Sequence, residues 1–184
     1  MTSSSSSPEA AATSTTTVPP QVVVAPVRVG AVDGAESGEA AVGEIVTAIE
    51  QLVNVATAEA LTVGGPVDLD GVLTTRAREA LDEERRHVLT DESLPPVDVI
   101  VIDAVDIDLS FLGVGDGHEL VVVDLTMAAR AGGPLTPDLR LSRTAELIMV
   151  PSEGVWLVDA FDIEVRRDSS AVPSLGDWLW PWSV

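Results

Sequence analysis

From residue 97 onward, apolar and polar positions alternate with period two. The runs "VDVIVIDAVDIDLSF" (97–111), "HELVVVDLTMAAR" (118–130), "LRLSRTAELIMV" (139–150) and "VWLVDAFDIEVRR" (155–167) each predict a strand. The links between them are short and rich in turn residues: Gly113 to Gly117, Gly132-Gly133-Pro134 and Pro151 to Gly154. Links of that length join neighbouring antiparallel strands, so the pattern predicts a four-stranded antiparallel meander. Upstream the period changes. Val42, Ile45, Ile49, Leu52, Val53 and Ala56 recur at helical spacing, with Ser37 as N-cap, Glu39 in the first turn and an end near Leu61, before Val63-Gly64-Gly65-Pro66. A second helix is predicted after Asp68 or Asp70. Leu69, Val72, Leu73, Ala77, Ala80, Leu81 and Val88 form its apolar face, and Pro95-Pro96 stops it. Ahead of both, "QVVVAPVRVGAV" (21–32) is β-prone, but Pro26 restricts it to an edge strand or an extended arm. Helices segregated from strands predict an α+β domain, with two helices packed on one face of a curved sheet.

This reading divides the chain into a tether (1–20), an arm or edge strand (21–36), the α+β domain (37–167) and a tail (168–184). The tether, "MTSSSSSPEAAATSTTTVPP", has almost nothing to bury and predicts disorder. Thirty Asp and Glu against ten basic residues give a formal charge of −20, which argues against nucleic-acid and anionic-membrane partners. All ten basic residues are Arg, and Tyr is absent. A GC-rich genome accounts for this; adaptation to high salt is the sharper alternative. The lack of Cys removes disulfides, thiol nucleophiles and Cys-ligated zinc. No segment approaches the roughly 18 consecutive apolar residues of a membrane span. Polar Ser and Thr follow Met1 where a signal peptide would be basic and then apolar. The expectation is a cytoplasmic protein if the sequence is complete. It is an extracytoplasmic one if a signal or anchor has been removed upstream, since a Ser/Thr/Pro tether commonly follows such a segment.

Two amphipathic helices followed by a four-strand meander resemble the nuclear transport factor two-like superfamily, the cone shared with ketosteroid-isomerase-like proteins. The local phrase that carries the likeness is Gly154, Trp156, Val158 and, slightly displaced, Asp159, within "GVWLVDAFDIEV" (154–165). A tether ahead of the cone is similar to actinobacterial secreted or membrane-anchored members. The resemblance covers about residues 37–167. It implies a sheet wrapped around a pocket and closed on one side by helices. It implies no single activity, because members include isomerases, dehydratases, transport adaptors and accessory subunits without chemistry.

Alternation identifies which polar residues should face that pocket. On the odd-numbered face of the first strand one carboxylate, Asp103, interrupts an apolar row. Arg143 does so on the third strand and Asp159 on the fourth. A charge on the core face must be paired or must line a wet cavity. One guanidinium can hold two carboxylates, so Asp103, Arg143 and Asp159 form the candidate ligand-binding set. The competing expectation is that a bulge reverses the phase and sends them to solvent, or that they form a structural ion pair. As an enzyme of the ketosteroid-isomerase-like kind, the resemblance implies Asp103 or Asp159 as general base, with Arg143 steadying an anion. Two features count against this. Tyr, a common oxyanion donor in that group, is missing, and a nearby Arg would depress the carboxylate pKa. The dehydratase members use a His–Asp pair, and neither His87 nor His118 aligns with one. "GVGDGH" (113–118) joins two strands and is no phosphate loop. Asp103, Asp106 and Asp108 fall on opposite faces and make a poor calcium cluster. No cofactor and no metal are expected.

The chain closes with "GDWLWPWSV" (176–184). Pro181 excludes a regular helix there, so Trp178, Trp180 and Trp182 would all face one way in an extended segment. They could plug the mouth of the cone, anchor a protein partner or sit in a membrane interface; the charge of −20 weakens the last. The sequence therefore favours a non-catalytic binding or accessory protein that engages a protein partner, a second copy of itself or an apolar ligand. The alternative is a small enzyme acting on an apolar carbonyl compound.

Overall fold

The computed structural model describes residues 19–34, 39–114 and 118–169. The tether as far as residue 18, the Ser37 cap and Trp178, Trp180 and Trp182 lie outside the described residues. Long alternating runs give long strands: β3 (Val99–Val114), β4 (His118–Gly132), β5 (Leu139–Ser152) and β6 (Val155–Ser169). Each pairs antiparallel with the next. On β4 and β5 the odd-numbered side chains point inward without interruption, from Val121 to Ala131 and from Leu139 to Met149.

The sheet has six strands, not four, and it is mixed. The arm supplies β1 (Gln21–Val24) and β2 (Val27–Asp33), which run parallel to β3 end to end, with Val24 opposite Ile102 and Val27 opposite Val105. Pro26 falls in the gap between them, where no ladder hydrogen bond is needed. A register shift between Val29 and Val32 bends the rest of this edge. Valines 22, 23, 24, 29 and 32 are exposed on this edge, and the proline and the irregularity are devices that discourage further strand pairing there.

Expectation and structure differ most in the helices. One main helix packs on the inner face of the sheet. It comprises α1 (Glu39–Val53), a π-helical segment (Asn54–Glu59) and α2 (Ala60–Val63). Gly64 ends it in the left-handed conformation, donating its N–H to the Ala60 carbonyl. The predicted second helix is instead two short ones, α3 (Thr75–Glu79) and α4 (Glu83–Leu89). Its capping residues were misplaced. Asp68 accepts from the Asp70 backbone N–H in a local turn, while Thr74 and Asp82 cap α3 and α4. Because Asp82 starts a new helix, the apolar periodicity across residues 69–88 belongs to a loop and two helical turns. The buried members Leu69, Val72, Leu73 and Ala77 still join the core.

Candidate functional site

Two β-bulges decide where the candidate carboxylates go. In β3, Ile102 pairs with Ala129 and Ala104 with Ala128, leaving Asp103 as an extra residue. Ile100 and Ile102 are buried before it, and Val105, Ile107 and Leu109 after it. The inward face therefore changes from even to odd at Asp103, and the expectation that Asp103 faces the core is corrected. It stands on the outer face, held by both arms of the Arg130 guanidinium at 2.9 and 2.7 Å. That hydrogen-bonded pair holds the Asp103 carboxyl below its ordinary value and raises Arg130 above its own. A depressed carboxylate stabilises the fold above its unfolded pKa, and the contribution is lost as pH falls through the lower folded value. Water screens this exposed pair, so Asp103→Asn should leave the melting temperature at neutral pH almost unchanged. Any gap between the variant and the wild type should close on acidification in a pH series of thermal melts.

Asp159 is the second bulge residue. Ile148 pairs with Ala160 and Met149 with Val158, so Asp159 is extra in β6. It sits at the rim. Its carboxylate accepts from the Thr74 hydroxyl at 2.8 Å and pairs with Arg76. Thr74 in turn accepts from the Ala77 N–H, and the backbone of Val158 bonds to Val72 and Thr74. The bulge thus docks the start of α3 onto the sheet.

Arg143 alone lies where the alternation places it. It is 5% exposed and surrounded by the core. Its partner is neither Asp103 nor Asp159. Nη2 donates to Asp91 at 3.0 Å, and Nη1 to the Thr57 hydroxyl at 2.9 Å, while Nε has no partner among the described residues. Burial pulls the guanidinium below the usual arginine value; Asp91 opposes that pull and the neighbouring Arg167 adds to it. Asp91 is fully buried and is shared: its other oxygen accepts from Arg167 Nε at 2.9 Å. Arg167 is anchored further by the carbonyls of His87 and Thr90 at 2.8 and 3.1 Å.

Three members of this buried network were missed in the sequence. Asp91 lies in a proline-flanked loop with no periodicity to mark its direction. Thr57 turns inward within the π-helical segment, where Ala56, Thr57 and Ala58 are buried in succession. A regular helix would not bury three consecutive positions so fully. The Ala56 carbonyl accepts the backbone N–H of Asp91 at 3.0 Å, which fixes the loop to the helix. Arg167 lies on the odd-numbered face of the predicted run 155–167 and was legible by the rule that picked out Arg143, though the reading of that face stopped at Val165.

Among the described residues, the space between the main helix and the sheet is nearly filled. Between the main helix and the sheet, Leu52, Leu89, Met127, Arg143, Leu147 and Ile163 help to line a void of about 10 Å³. That is room for about one water, against the roughly 300 Å³ or more of a small-molecule pocket. A larger groove, about 480 Å³, crosses the outer face of the sheet and is lined chiefly by carboxylates and threonines. His87 is half-exposed, 3.6 Å from Glu83 on its own helix, and the side chain of His118 lies outside the described residues. Among the described residues no group of three His, Asp or Glu is placed to hold a metal ion, and no helix is long and apolar enough to cross a membrane. Comparison with known proteins returns no matching family model, no matching curated protein and no matching solved structure.

Proposed function

We propose that this chain is a non-catalytic binding or accessory protein, built on a cone-like domain of the nuclear transport factor two-like kind, that works through its surface. The observation that carries the reading is the closed interior. The void beside Arg143 measures about 10 Å³, and Arg143 itself is neutralised by Asp91 and bonded to Thr57. A catalytic base needs access to a substrate proton. Asp103 faces away from the core in a two-pronged pair with Arg130, and Asp159 is engaged by Thr74 and Arg76. Neither lines the void beside Arg143 or the groove on the outer face.

The test is kinetic. Isomerisation of a β,γ-unsaturated ketone by the full chain should not exceed the buffer rate, and Asp103→Ala and Asp159→Ala should change nothing. Turnover that either substitution abolishes would overturn the reading in favour of an enzyme.

A further inference from the structure

Burial on the inner face falls away at β6. Arg143, Ala145 and Leu147 of β5 are buried, while their cross-strand partners Val165, Ile163 and Phe161 are only half-buried. β6 is also the last strand of the sheet. Among the described residues, the edge that it turns away from β5 makes backbone hydrogen bonds at Val158 alone, with Val72 and Thr74. From Phe161 to Ser169 this edge therefore has no described backbone partner, and it runs beside a strip of half-covered apolar side chains. Sheets seldom leave so long an edge unguarded. The opposite edge is guarded by Pro26 and by the register shift in β2.

We propose that the open edge of β6 is the docking site for the chain's own residues 178–184, which add to it as an antiparallel strand with Trp178, Trp180 and Trp182 laid along Arg167, Val165 and Ile163. The site goes beyond the surface-binding reading above and does not rest on it. The occupant itself lies outside the described residues, and its sequence and point of departure name it. The chain leaves β6 at Ser169, the end at which a returning strand begins. Pro173 and Gly176 supply turn residues for the reversal. The run 178–184 equals 161–167 in length, so Val184 finishes beside Phe161. The three Trp alternate, and an extended segment turns all of them to the inner side. Trp178 then meets Arg167, whose guanidinium suits an indole face. Asp177 carries the only charged side chain between 170 and 184, and it arrives beside Arg166 and Arg167. Pro181 fits as well, because the added strand becomes the new edge and a proline there blocks a further one.

Two other places for the tryptophans are less favourable. The void beneath the main helix, about 10 Å³, is too small to admit an indole, so the segment does not plug the interior. The outer face presents Asp108, Asp124, Glu146 and Asp162 in one cross-strand row, and Asp177 would bring a fifth carboxylate to it. At the β6 edge the same residue meets guanidinium groups. The docked strand would cover Ile163 and Val165 on their open side, and both edges of the sheet would then end on a proline-bearing strand.

The experiment is hydrogen exchange on the full chain, read by mass spectrometry, with an engineered disulfide to report position. The amides of 178–184 should exchange at least about tenfold more slowly than in a synthetic peptide of the same sequence, and equally so at every protein concentration. Trp180→Ser/Trp182→Ser should return them to the peptide rate and should speed exchange across 161–169. Exchange at the peptide rate in the wild type overturns the proposal. So does protection that disappears on dilution, since the segment would then lie on another copy. The chain has no Cys, so a single introduced pair is unambiguous. Val165→Cys/Trp180→Cys should oxidise to an intramolecular disulfide. Thr144→Cys/Trp180→Cys, with its first cysteine on the outer face, should not. Closure of the second pair in preference to the first overturns the edge site and moves the segment to the outer face. Turnover of the ketone would defeat the surface-binding reading and leave the exchange and disulfide results untouched, so the two failures are distinguishable.

Discussion

Asp91→Ala is expected to destabilise the protein by about 3–5 kcal/mol, enough to unfold much of a domain of ordinary stability. The physical cause is the charge left behind. Asp91 is the only described carboxylate that meets Arg143, and Arg143 is too enclosed to find water instead. Arg167 loses the same partner but is 23% exposed at the side chain and keeps the His87 and Thr90 carbonyls, so it contributes less to the loss. Arg143→Met should cost less than Asp91→Ala, because Asp91 keeps Arg167 and the new side chain suits its apolar neighbours. The double variant Asp91→Ala/Arg143→Met should be more stable than Asp91→Ala alone. Removing the orphaned guanidinium relieves most of the penalty, which makes the two changes strongly non-additive. Urea titrations of the three variants and the wild type would measure this. A double variant that is simply the sum of the singles would show that Asp91 acts through its loop and not through Arg143.

That network also marks the limit of what the sequence discloses. Alternation located the inward residues of the predicted runs on β4 and β5, because those two strands pair with each other without irregularity. It failed at Asp103 and Asp159 because each occupies a bulge, and a bulge inserts one residue that reverses every side chain on one side of it. The two carboxylates that looked most like site residues were thus the two places where period two stops. In the helices, periodicity identified the main helix but not its π-helical segment, the feature that turns Thr57 toward Arg143 and frees the Ala56 carbonyl for Asp91. The arm was legible as edge material from Pro26. Its parallel pairing with β3 was not, since a short run of valines carries no information about direction. The charge rows of the outer face are written in the sequence, but they become rows only once registry is known. Asp108, Asp124, Glu146 and Asp162 are widely separated in the chain and adjacent in the sheet.

Leu147→Ala should cost about 2–5 kcal/mol and should give the protein a ligand site that it otherwise lacks. Leu147 is fully buried on β5, in the row between Val123 and Phe161, and it borders the small void beneath the main helix. Truncating it removes contacts that the rigid sheet cannot recover by collapse, and the new space merges with the existing 10 Å³. Apart from Arg143, whose polar atoms are mostly committed, the walls are apolar, so the enlarged hole should stay dry and accept a small apolar molecule. Benzene should therefore raise the melting temperature of Leu147→Ala in proportion to its saturation, and should leave the wild type unmoved. A wild type stabilised by benzene would mean that the interior opens in solution, and the closed-core argument against catalysis would fall with it. If only the variant responds, a single leucine separates a filled domain from a ligand-holding one. The distinction between a binding protein and a pocket enzyme on this framework would then lie in the side chains that occupy the interior, with no change of topology required.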